Sequence, residues 1–115
     1  MRLKYPKVVE ELQLSEYHKA YEGQSIDVWV NPLPSDTTHV YKIFTADATK
    51  EDREKGLEQV AVIWSQGEDK ERHTTREEIE AMIEESAQSD PMLLMWMLVQ
   101  TMTMISDYRT TLKKN

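Results

Sequence analysis

Apolar residues recur with a two-residue period early in the chain and with a helical period after residue 46. In "SIDVWVN", Ile26, Val28 and Val30 alternate with Asp27 and Trp29, the pattern of a half-buried strand. The following "NPLPSDTT" has the proline, asparagine and aspartate chemistry of a loop, and "HVYKIF" is β-branched and aromatic enough for a second strand. The pattern therefore predicts a hairpin of Ile26–Val30 and Val40–Phe44 with a long connection. Upstream, Pro6 suits the first position of a short helix through Lys7 to Leu12, but "LQLSEYHKAY" reads equally as loop.

Three helices are predicted after the change of period. Thr49 and Asp52 stand in capping-box spacing, Leu57, Val60, Ala61 and Trp64 share one face, and Gly67 supplies a stop. Gly56 is the one residue of this segment that disfavours a helix. After the polar "GEDKERHT", Thr74 or Thr75 caps a shorter helix with a narrow stripe of Ile79, Met82 and Ile83. Asp90 and Pro91 then open a helix expected to run to about Leu112, with Lys113 and Lys114 at its negative end.

This last segment begins "PMLLMWMLVQTMTMI", with eight consecutive apolar residues from Met92 to Val99 and five of the chain's seven methionines. On a helix, Met95, Leu98, Met102, Ile105 and Leu112 form a three-four seam, which Arg109 interrupts. Leu94, Trp96, Met97 and Val99 point elsewhere, so the first two turns are expected to be buried on every side. Either the chain's own hairpin and helices enclose them, or a second protein covers part of the surface. Methionine adapts to more than one apolar neighbour, and tryptophan anchors interfaces. The candidate partner-binding residues are therefore Met95, Trp96, Met97, Met102, Met104 and Ile105, with Trp29 as a second anchor if it faces outward.

The expected architecture is an α+β single domain over 1–115. Its strand- and loop-rich part, 1–46, forms an N-terminal β-hairpin packed on about three C-terminal helices in 47–115, the last long and hydrophobic. The apolar run is too short for the roughly 20 residues that span a bilayer, so no membrane association is expected.

Charge narrows the partners. The formal net charge of −7 is concentrated in the middle of the chain, where Asp47 to Asp90 holds 14 acids against 6 bases. No basic stripe suggests a grip on phosphates, so nucleic-acid binding is disfavoured. Without cysteine there is no disulfide, thiolate metal site or thiol nucleophile. No signal peptide is visible in "MRLKYPKVVEELQL", and a cytoplasmic protein is expected.

Catalytic patterns are missing. His18, His39 and His73 show no metal-ligand spacing, and Glu77, Glu78, Glu80, Glu84 and Glu85 read as the solvated face of a helix. Single glycines in "EGQS" and "SQGED" cannot cradle a phosphate. The chain is expected to be no enzyme and to hold no metal or cofactor.

From Leu57 to Met102 the order of features resembles the tail assembly chaperones of long-tailed bacteriophages. The marks are Trp64 and Ser65 at a helix end, the acidic turn Gly67 to Arg72, the helix start Thr75 to Ile79 and the apolar helix start Asp90 to Val99. The resemblance implies a non-enzymatic role in virion assembly, in the host cytoplasm if the protein is viral. Its partner would be a tape-measure-like or tail tube protein, with a homo-oligomer possible. It also implies a largely helical fold, from which the predicted hairpin departs. A different class of function also fits the composition: a small acidic inhibitor, or nucleic-acid mimic, that presents Asp47 to Asp90 to a basic protein.

Overall fold

The computed structural model describes residues 6–65 and 74–114, and the side chains of all of these except 65 and 112–114. The fold is α+β: an N-terminal antiparallel hairpin followed by three helices, the last of them the longest. Strand β1 (Val9–Gln13) pairs with β2 (Ser25–Trp29), and β2 pairs on its other edge with the two-residue β3 (Trp64–Ser65). The helices are α1 (Lys50–Ile63), α2 (Arg76–Ser89) and α3 (Leu93–Lys114). Among the described residues no helix is long and apolar enough to cross a membrane.

The strand at Ile26 forms as its alternation predicts, but its partner lies upstream. Leu12 stands opposite Ile26, and the ladder continues through Leu14 N–H to the Gln24 carbonyl and Val30 N–H to the Val8 carbonyl. β1 reads as helix or loop because it is an edge strand: Glu10, Glu11 and Gln13 are exposed, and only Leu12 of its five residues is buried. The predicted strand at Val40–Phe44 is instead a 3-10 turn, Val40–Ile43. Its two buried residues, Val40 and Ile43, are three apart, and both face the core. Asp27, expected to face solvent, is buried.

Both threonine caps expected from sequence are present, the second at Thr75. The Thr49 hydroxyl accepts from Asp52 N–H at 3.1 Å, and the Thr75 hydroxyl from Glu78 N–H at 3.2 Å. Helix α1 stops at Ile63 rather than at Gly67, which lies outside the described residues, because Trp64 leaves the helix to pair with Val28. That exit buries the indole at 1% exposure. Its Nε1–H donates to the Thr101 hydroxyl of α3 at 2.9 Å, and Thr101 in turn donates to the Met97 carbonyl. Thr74 closes the same corner, with its N–H on the Trp64 carbonyl and its hydroxyl on that of Ala61.

The core lies between the inner face of the sheet (Ile26, Val28), α1 (Leu57, Val60), Ile79 of α2 and one face of α3. On α3 the fully buried positions are Leu94, Met97, Leu98, Thr101 and Ile105. This line shares Leu98 and Ile105 with the expected seam, but it is turned so that Met95 and Met102 fall on its flank, half-buried. Leu112 lies among the residues whose side chains are not described. The first turns of α3 are not enclosed on every side, since Met92 is 62% and Val99 43% exposed. The hairpin and α2 cover the rest.

Candidate interaction surface

The seven residues expected to bind a partner separate into two groups. Met97 and Ile105 are core residues, at 2% and 1% exposure. Met95, Trp96, Met102, Met104 and Trp29 are half-buried. Met102 and Met104 rest against the core from opposite flanks of α3, so the five do not form one patch.

A different set does. Met92, at the turn that opens α3, and Met95, Val99 and Met102 follow one another at intervals of three, four and three residues, which places them in a row along one side of the helix and its start. Two are exposed and two half-exposed, and this is the most apolar open row on the molecule's longest helix. The pattern predicts Met92 and Val99 within an enclosed run, and it is their exposure that completes the row. Further along α3, Arg109 donates to the Pro32 carbonyl at 3.1 Å and pins the loop bearing Leu33, itself 59% exposed. The residue that breaks the seam thus serves as a tether between α3 and the loop.

Trp29 does project from the outer face of β2, but it is already engaged. Its indole N–H donates to Asn31 Oδ1 at 2.8 Å, and the Lys7 ammonium sits 5.6 Å from the ring centroid. Asn31 also accepts Val8 N–H and donates to the Pro6 carbonyl, so the indole belongs to the closure of the sheet edge.

Trp96 is covered differently. The connector between β1 and β2 carries Tyr17 and Tyr21, whose hydroxyls donate to the two carboxylate oxygens of Asp90 at 2.9 and 2.8 Å. Tyr17 lies across Trp96 with ring centroids 5.3 Å apart. Asp90, expected as a cap, also accepts from Leu93 N–H at its backbone carbonyl at 3.1 Å, so one residue both starts α3 and straps the connector to it. The bond from Tyr21, then that from Tyr17, holds the Asp90 carboxyl below its ordinary value of 3.8. The same bonds raise both phenols above 10.0.

The lowered carboxyl contributes stability that is present above the unfolded value of about 3.8 and lost as pH falls through the folded one. The raised phenols contribute stability that is present below 10.0 and lost as pH rises through their folded values. Asp90→Asn is therefore expected to flatten thermal stability against pH at the acid edge while leaving its mid-range form. An unchanged acid limb, measured by melts across the range, contradicts the strap.

The histidines take local roles. His18 accepts Ala20 N–H, and His39 lies 3.7 Å from Asp52 and 2.9 Å from the Thr38 hydroxyl. His73 is outside the described residues. Among the described residues no three acidic or histidine side chains gather into a metal-sized group. On α2 the glutamates 77, 80, 84 and 85 are exposed, as expected of a solvated face, and Glu78 is half-buried.

Sequence reasoning missed Thr101, Tyr17 and Tyr21. Each acts through a partner 37 or more residues away, and no local period signals such pairs. No family model matches this chain, and no curated protein or solved structure does.

Proposed function

We propose that the protein is a non-enzymatic assembly chaperone that shields an apolar helix of a tape-measure-like or tail tube protein while a phage tail is built. The observation that carries this reading is the open row Met92, Met95, Val99 and Met102 on α3. Its three-four-three spacing is that of a helix-to-helix seam. Its chemistry is mostly methionine, which fits partners of differing shape. The strongly acidic middle of the chain keeps such a surface soluble. The same row would serve for self-association when no client is present.

The test is co-expression with the tape measure protein encoded in the same genome, reading how much of that protein stays soluble. Wild type is expected to raise the soluble fraction, and Met92→Glu combined with Val99→Glu to abolish the gain. Both positions are exposed, so the variant's own stability should change by no more than roughly 0.5 kcal/mol each. A client kept equally soluble by wild type and variant refutes the row. Complexes that dissolve as salt rises would instead place binding on the carboxylates.

A further inference from the structure

A groove of about 220 Å³ opens between the β1–β2 connector, α2 and the start of α3. Its floor is apolar and preformed: Leu14, Ile26, Leu94 and Met97 are buried, and Met82 and Leu93 half-buried. Its wall is set by the strap, since Tyr21 lines the groove while its hydroxyl is held by Asp90. The Ser86 and Ser89 hydroxyls at the rim are spent on the Asp90 and Glu85 carbonyls. The charge left on the lining is the Glu85 carboxylate, which among the described residues has no cationic partner, and no lysine or arginine lines the groove.

Small-molecule sites run from about 300 to 1,000 Å³, so this groove is below their range and is the size of a side chain. From that size, the apolar floor and the lone carboxylate at the rim, we propose a second docking site. Its occupant is an amphipathic segment of a protein partner that inserts one apolar side chain and sets an adjacent lysine or arginine against Glu85. The site is independent of the outer row, because Leu93 and Met97 leave α3 on a different side from Val99.

The probe is a fluorescent helical peptide with leucines at i, i+3, i+4 and i+7 and lysines between, alongside a version with glutamate for each lysine. Anisotropy is expected to show binding of the lysine peptide only. Ser89→Phe, from an exposed position at the end of α2, fills the groove and should weaken binding about tenfold or more. Glu85→Gln should weaken it less and flatten its salt dependence, while Glu51→Gln, on the remote α1, should leave it unchanged. In a methyl spectrum the peptide should move Met82 and Met97 and spare Met92, a readout that needs no variant. Equal losses in Glu85→Gln and Glu51→Gln, or full affinity in Ser89→Phe, would each overturn the proposal, as would unmoved Met82 and Met97 signals.

Discussion

Trp64→Ala is expected to lower the free energy of unfolding by about 3–5 kcal/mol, as large aromatic truncations in cores do. A domain of this size has only about 5–15 kcal/mol in total, so the variant should lose a large fraction of its stability. The size of the loss follows from where the side chain stands. Trp64 is the residue at which α1 becomes β3, its backbone pairs with Val28, and its indole reaches α3 through Thr101. Truncation removes packing from three elements together and leaves a cavity that they cannot jointly collapse.

The polar half of this contact can be measured separately. Thr101→Val leaves the buried indole N–H without an acceptor, at a cost of about 1–3 kcal/mol. Trp64→Phe removes the donor but keeps an aromatic ring, and the Thr101 hydroxyl still has the Met97 carbonyl. A double-mutant cycle by urea denaturation should then show coupling between the two sites. A loss below 1 kcal/mol for Trp64→Ala would mean that the corner of α1, β3 and α3 is not the keystone of this core.

The sequence carries Trp64 in a helical period, and the reason it misleads is general to this fold. Periodicity and caps are local, so Thr49, Thr75, the three helices and the β2 strand are legible from neighbouring residues. Helix α1 runs on by period alone up to Gly67, whereas the strand pairing that ends it at Ile63 depends on Val28, 36 residues earlier. The phase of α3 is obscured in the same way. Thr101 reads as a polar dilution of an apolar run, yet it lies at the centre of the buried face because its hydroxyl is satisfied by Trp64 and Met97. Once Thr101 counts as core, the row Met92, Met95, Val99, Met102 falls outside, and the candidate surface shifts from the expected seam to that row. The groove was legible in none of this, since it is lined by the connector, β2, α2 and α3 together.

Gly56→Ala is expected to destabilise the protein by about 1–3 kcal/mol, the cost of overpacking a close contact, although helix propensity alone predicts a gain of up to about 1 kcal/mol. Gly56 lies on the face of α1 that meets the 3-10 turn at Val40–Ile43. A Cβ there would stand 2.4 Å from the His39 carbonyl oxygen and 3.0 Å from Ile43 Cγ2. The nearer atom is backbone, so no rotamer relieves the clash, and the turn itself must move. That carbonyl accepts Lys42 N–H at 2.9 Å, and His39 N–H donates to Gln59 Oε1 of α1 at 2.7 Å. Displacement therefore strains the bonds that hold the turn against the helix. Ile43→Ala should not rescue Gly56→Ala, because it clears only the side-chain contact. A stabilised Gly56→Ala in urea melts, or full rescue by Ile43→Ala, would show that helix and turn stand further apart. The glycine that weakens α1 as a helix is what lets the turn approach it closely enough to bury Val40 and Ile43.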